Sequence, residues 1–375
     1  MALQDLREYL ALLEAREELV RVKQEVDPGW EVGLMCRELM DRQGPAALLE
    51  KVKGSPWPVV VNLFANRHRV ASALGISENQ LIPHWLKALE EPKPPVVVKS
   101  GPCQEFVHID GDLLDFVPHI QWNREDCGPY ITFGLALCKD PDSGVRNMGI
   151  YRLQIKGKNR LGINSRPPQH AGICHAKDEA RGESLPVAIA IGADPSLYIA
   201  SQAAPAFAWD EVALAGSLRG EPVPLVKCRT VDLEVPATAE IVLEGHWLAN
   251  VREMEGPFGE FTGYYSGAAE RGVIELSCIS HRRNPLYLAT YEGRPPTNTH
   301  ILHAAAREPV WYSRIKREVC PTIKDLCVTY PGCAAMHVVA SIKQQHPGQA
   351  RNVAISLLQS HSIKAHYHGA RGLFC

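Results

Sequence analysis

Leu3, Leu6, Tyr9, Leu10 and Leu13 recur at three- and four-residue spacing, which predicts a surface helix at the start of the chain. Glu31 to Arg42 reads as a second helix, and PWPVVVNLF (56–64) as a buried strand. Residues 1–95 are therefore expected to form an N-terminal α/β unit. The stretch EEPKPPVVV, with Pro92, Pro94 and Pro95, favours extended linker geometry and marks its end.

From 96 to 295 strand-like segments dominate: VVVKS, YITFGLALC, NMGIYRLQIKG, PVAIAIG, AEIVLEGHWL and GVIELSCISH. Gly, Pro and Asp clusters separate them, and one helix-like stretch, WDEVALAGSLRG, interrupts them. This pattern predicts a sheet-rich or barrel-like middle domain with helical insertions. The third segment, 296–375, predicts a helix over His300 to Arg317, a strand in AAMHVVASI and a helix from Gln349 to Gln359. Its last residues, AHYHGARGLFC, show neither amphipathic period nor helix stop signal.

Composition narrows the function classes. A chain of 375 residues with 45% hydrophobic and 22% charged residues is an ordinary globular protein of two or three domains. The net charge of −2 offers no basic surface for nucleic acid. Hydrophobic runs such as Val96 to Val98 or Pro186 to Ile191 have strand length, far short of a membrane span. The acid-rich, amphipathic N-terminus does not read as a secretory signal. Eleven cysteines, an odd number with no CxxC pair, imply reduced thiols and a cytoplasmic location. No GxGxxG or Walker loop is present.

Four segments could carry chemistry. In RNMGIYRLQI, strand alternation sends Asn147 and Arg152 to opposite faces unless Gly149 marks a bulge; a plain strand ending in a snorkelling arginine is the bland alternative. In NSRPPQHAGICHAKDEA, His170 follows a stiff Pro-Pro and precedes a possible helix, with His175 as a competitor and a structural histidine as the alternative. In FAWDEVALAGSLRG, Asp210 and Glu211 stand at a helix start, where acids favour the dipole without any further role. Asn147, His170 and Glu211 together would give a mixed oxygen and nitrogen set suited to Mn²⁺ or Mg²⁺ rather than zinc. Nothing local joins the three.

The fourth segment is EGPFGEFTGYYS. Pro257 and the glycines at 256 and 259 exclude a regular helix, so Glu255 and Glu260 sit on a fixed turn. Two carboxylates held close do not both ionise easily, and a nearby arginine would hold one of them charged. Such a set could grip a substrate carboxylate and deliver a proton. The residues alone favour a solvated acidic loop over this chemistry.

In this order DPDSGVRNMGIYRLQ, DEVALAGSLRGEPVPLVKC, VPATAEIVLEG, EGPFGEFTGYYS and PGCAAMHVVASIKQQHPGQARNVA resemble the UbiD family of prenylated-flavin-dependent decarboxylases. The likeness runs from DLREYLALLEAREELVRV to about Lys364. It implies an α+β multidomain fold: an N-terminal α/β unit, a central split β-barrel of flavin-reductase type that binds prenylated FMN, and a partial C-terminal α/β domain. It implies Mn²⁺ bridging the flavin phosphate to Asn147, His170 and Glu211, with a monovalent cation (K⁺) nearby. Arg152, Glu255 and Glu260 fall on the catalytic Arg-Glu-Glu set. Ile150, Tyr151, Arg152, Gln169, His170, the turn Ala203, Ala204, Pro205 and also Lys364 fall on cofactor contacts. The implied reaction is reversible decarboxylation of an aromatic, phenolic or α,β-unsaturated acid. Glu255 would hold Arg152, which orients the carboxylate, and Glu260 would protonate the carbon. A flavin prenyltransferase would supply the cofactor, and the chain would act as a homo-oligomer or a subunit of a decarboxylase complex.

The loop TYEGRPPTNTH is expected to line the substrate pocket. NSRPPQHAG lacks the second arginine or tryptophan that many relatives carry, and relatives continue past SIK into an acidic strand and a final helix. The resemblance therefore implies a shortened third domain. Two other readings follow: an inactive or partner subunit, and a general FMN-binding or flavin-reducing protein. The complete Arg-Glu-Glu set favours the decarboxylase over the latter, because flavin reduction needs no acid pair.

Overall fold

The structure is a computed structural model that describes residues 3–109, 111–203, 207 and 209–359. Helix α1 (Leu6–Ala15) is followed by strand β1 (Leu19–Val26), helix α2 (Glu31–Asp41), strands β2 (Ala46–Val52) and β3 (Val59–Val61), and helices α3 (Arg67–Ala73) and α4 (Leu81–Glu90). The Asp5 side chain caps α1 by accepting from the Glu8 amide, and Leu6, Tyr9, Leu10 and Leu13 are buried on its inner face. β1 runs parallel to β2, and β2 antiparallel to β3.

The middle of the chain contributes β4 (Val96–Val98), β5 (Phe106–His108), β6 (Tyr130–Ile131), β7 (Leu135–Lys139), β8 (Arg146–Ile150), β9 (Leu153–Gly157) and β10 (Arg160–Ile163). Helix α5 (His170–Glu179), strand β11 (Leu185–Ile191), and helices α6 (Pro195–Ala200) and α7 (Glu211–Arg219) come next. Then come β12 (Pro224–Lys227), β13 (Glu234–Pro236), β14 (Ile241–Glu255), β15 (Ala269–His281) and β16 (Tyr287–Leu288). A nine-stranded sheet has the order β6-β9-β10-β15-β14-β11-β7-β8, with β5 added on β15. β16 lies outside this sheet and pairs in parallel with β3, so the N-terminal sheet is completed by a strand from far along the chain.

That strand order forces curvature. β9 and β8 lie six strand spacings apart, which is roughly 29 Å across a flat sheet at about 4.8 Å per spacing. Yet Tyr151 and Arg152 alone separate them in sequence, and the step from Ile150 to Leu153 spans at most about 11 Å. The sheet therefore curls until its two ends nearly meet, as an open half-barrel. Tyr151 and Arg152 bridge the seam. The segment NMGIYRLQIKG is thus two strands rather than one, and the alternation argument for Asn147 and Arg152 fails because it cannot be carried across the break.

Helix α8 (Asn298–Glu318), strands β17 (Ile323–Val328) and β18 (Val338–Ile342) and helix α9 (Gln349–Leu358) form the last unit. β17 and β18 pair antiparallel. A separate small core, including Trp311, Ile315, Leu326, Val328 and Val353, gathers beneath them. The ten cysteines among the described residues are all free thiols. No described helix is long and apolar enough to cross a membrane.

Candidate active site

Glu255 is the last residue of the long strand β14, whose partner β15 returns through Ala269. The turn between them leaves β14 at Gly256, whose φ of 86° suits glycine. It is clamped from both sides. Within it, the Glu260 amide donates to the Tyr264 carbonyl at 2.9 Å and the Gly263 amide to the Glu260 carbonyl at 2.8 Å. From outside, the Cys127 amide donates to the Pro257 carbonyl at 2.9 Å, and the Gly259 amide to Asp126 Oδ1 at 2.7 Å. Burial pushes the Asp126 carboxyl up from its ordinary value, against the pull of the Gly259 and Asn123 amides that donate to it.

This turn faces the seam. Arg152 Nε and Nη2 donate to Glu255 Oε1 and Oε2 at 2.9 and 2.7 Å, a two-pronged ion pair. The third guanidinium nitrogen, Nη1, bonds to Glu260. The guanidinium also lies over the Phe258 ring, 5.1 Å from its centroid. The two acids differ in access: the Glu255 side chain is 1% exposed and that of Glu260 27%. Glu255 is a fixed internal counter-ion; Glu260 reaches open space.

That space is a cavity of 420 Å³, within the usual range for cofactor and ligand pockets. Ile150, Tyr151, Arg152, Gln169 and Glu260 line it. Ala203 is buried and does not line it; its neighbour Gln202 does. Ala204, Pro205 and Lys364 lie outside the described residues, as does the C-terminal segment 360–375. Sequence reasoning missed two cavity arginines, Arg166 and Arg271. Burial, followed by the Arg166 charge, holds the Arg271 guanidinium below its ordinary value, so an anion between the two would be welcome. No local pattern pairs residues from a loop and from β15, which explains the omission.

His170, the first residue of α5, and Glu211, the first residue of α7, approach each other, while Asn147 on β8 turns its amide to Cys138 Sγ at 3.8 Å, one residue before the Met148 amide that meets Glu211. Asp210 caps α7 by accepting from the Val212 amide. The Glu211 carboxylate is 3% exposed. Its Oε2 accepts from the Met148 amide at 2.9 Å, and its Oε1 stands 3.9 Å from His170 Nδ1. Burial pushes the Glu211 carboxyl up, as expected of a desolvated anion short of a close counter-charge. His170 meets Phe207 edge-on at 5.4 Å between centroids. His175, the competitor, instead stacks on Trp247 at 4.0 Å and bonds to the Leu248 carbonyl. Among the described residues no group of three or more His, Cys, Asp or Glu is set to hold a metal, so a cation here would depend on the Asn147 amide as third donor.

Comparison with known proteins decides the family. Residues 96–295 match the 3-octaprenyl-4-hydroxybenzoate carboxy-lyase Rift-related domain, residues 10–89 the N-terminal domain of the same family and residues 300–368 its C-terminal domain. The chain belongs to the UbiD family. An uncharacterized protein of Synechocystis is 35% identical over 379 residues, covering 94% of this chain and 75% of that protein. An evolved dimeric form of the UbiD-class enzyme HmfF from Pelotomaculum thermopropionicum, in complex with prFMN, superposes with a TM-score of 0.91. It is 38% identical and covers 97% of this chain and 84% of its own. The vanillic acid decarboxylase of Sedimentibacter hydroxybenzoicus, in an open form, superposes with a TM-score of 0.88 at 32% identity, covering 97% of this chain and 79% of its own. These UbiD-class structures share the mixed α+β fold with its curled half-barrel.

Proposed function

We propose that this UbiD-family chain is a carboxy-lyase that removes CO₂, reversibly, from an aromatic, phenolic or α,β-unsaturated carboxylic acid with prenylated FMN as cofactor. The observation that carries this reading is Arg152, forked onto the buried Glu255 and bonded to the accessible Glu260 at the wall of the cavity. Of the two solved structures named above, one is a UbiD-class enzyme in complex with prFMN and the other a vanillic acid decarboxylase.

The residues present fit such a cofactor. Ile150, Tyr151 and Gln169 offer walls, and the facing Arg166 and Arg271 favour an anionic group. Asn147, His170 and Glu211 would hold Mn²⁺, whose charge would compensate the desolvated Glu211 carboxylate. When bound, the prenylated flavin supplies the electron sink for loss of CO₂.

The protein's part follows from its geometry. The substrate carboxylate binds Arg152 Nη1 and displaces Glu260, while the two bonds to buried Glu255 keep the guanidinium in place. Phe258, packed under the guanidinium, keeps water from its second face. Glu260, freed from Arg152, takes a proton from solvent through the cavity and, once CO₂ has left, delivers it to the carbon that carried the carboxylate. In the reverse direction Glu260 accepts that proton and CO₂ adds to the carbon.

Expression of the full chain together with a flavin prenyltransferase tests this. The expected result is a prenylated-flavin spectrum and CO₂ release from at least one aromatic or cinnamic-type acid. Bound cofactor without turnover of any acid, or ordinary FMN with reductase activity, would contradict it.

A further inference from the structure

Glu292, in the loop TYEGRPPTNTH, lines the same cavity as Arg152 and Glu260 but has no part in the chemistry above. The loop that carries it is well anchored. Asn123 Nδ2 donates to the Glu292 carbonyl at 3.0 Å, and Thr132 Oγ1 donates to the Thr290 carbonyl at 2.6 Å. The loop is also latched to the acid turn: His300 Nε2 meets the Phe261 carbonyl at 2.7 Å, one residue after Glu260. Glu292 is thus as rigidly mounted relative to Glu260 as two different loops allow.

Its carboxyl group is incompletely served. Thr299 Oγ1 donates to Oε1, while Oε2 receives no hydrogen bond from the described residues and faces the cavity. Among the described residues no ion pair to Glu292 forms. Burial, opposed by the Thr299 hydroxyl, lifts the carboxyl to about 7. The side chain is half-buried, so one oxygen is held by Thr299 and the other is left to whatever fills the cavity.

We infer that Glu292, oriented by Thr299, is a specificity-determining residue: it takes a hydroxyl or amino hydrogen-bond donor on the acid substrate, remote from the carboxylate held by Arg152, and turns away a second carboxylate. The two halves have one cause. An O–H or N–H donor satisfies Oε2 whichever protonation state Glu292 holds, whereas a carboxylate at that place meets a like charge at and above neutrality. The inference rests on the decarboxylase reading for the carboxylate end alone.

The test uses the full chain, with and without bound flavin, and reads ligand binding as well as turnover. Binding of 3- and 4-hydroxybenzoate, 4-aminobenzoate, benzoate and terephthalate is measured by calorimetry. The wild type is expected to bind a hydroxy- or aminobenzoate about tenfold tighter than benzoate, and terephthalate more weakly than benzoate. Glu292→Leu should erase the preference for the donor. The near-isosteric Glu292→Gln, which preserves fold and hydrogen bonding, should keep part of it and admit terephthalate. Unchanged ratios in both variants overturn the inference, whether or not any acid is decarboxylated. A Glu292-dependent preference without CO₂ release from any acid instead overturns the decarboxylase reading and leaves this inference standing.

Discussion

Arg152 spends three nitrogens on two acids, and the asymmetry of those acids sets what each substitution does. Arg152→Ala would leave Glu255 charged and enclosed, at a cost of about 3–5 kcal/mol in unfolding free energy, measurable by denaturant titration. Arg152→Lys should recover little of it, since an ammonium cannot reproduce the two-pronged fork. Glu292 gives a pH signature of its own. Its carboxyl rises from 4.5 to about 7 in the folded state, so folding favours the protonated form. The associated stability is fully present below about pH 4.5 and is lost as pH rises through 7. The melting temperature of the wild type minus that of Glu292→Gln should therefore fall across that window, and a flat difference would contradict the burial argument. The acid turn was legible in sequence because glycine and proline fix its geometry. Arg166, Arg271 and Glu292 were not, because a side chain's direction on a loop depends on what packs behind it.

At the scale of elements, the acid turn and the TYEGRPPTNTH loop are held as a pair. His300 is lowered to about 4 by burial, so it is neutral; its Nδ1 accepts from the Thr297 amide at 3.0 Å, which leaves the proton on Nε2 to donate to the Phe261 carbonyl. Asn123 joins both loops, and a Cβ at position 259 would stand 2.3 Å from its Nδ2. Gly259→Ala should then cost about 1–3 kcal/mol. It should also lower turnover by one to two orders of magnitude, on the order expected for a misplaced catalytic acid. A steady-state assay and a thermal melt on the same sample check both effects. Helix α1 was readable from its amphipathic spacing, and α7 from the acids at its start. Strand β17 was not: in IKDLCV two polar residues precede three apolar ones, so no period-two alternation marks it, and its pairing with β18 is irregular between Ile323 and Asp325. The break between β8 and β9 was equally invisible, since two ordinary residues make it and nothing but the closure of the sheet requires it.

For the whole molecule, the curled sheet explains why residues far apart in sequence converge. β8 and β9 meet at the seam with Arg152 between them, and β14 runs its full length to bring Glu255 there. The order of segments along the chain pointed to this convergence through family resemblance, not through any local pattern. The account's central claim is that this seam delivers a proton to the carbon from which CO₂ departs. It is tested most directly by running the flavin-loaded enzyme in D₂O and reading deuterium in the product by mass spectrometry. The account predicts one solvent deuterium per turnover in the wild type. In Glu260→Gln it predicts turnover and deuterium incorporation reduced by about 10²-fold or more, with the flavin spectrum retained. Unchanged incorporation in that variant would contradict it.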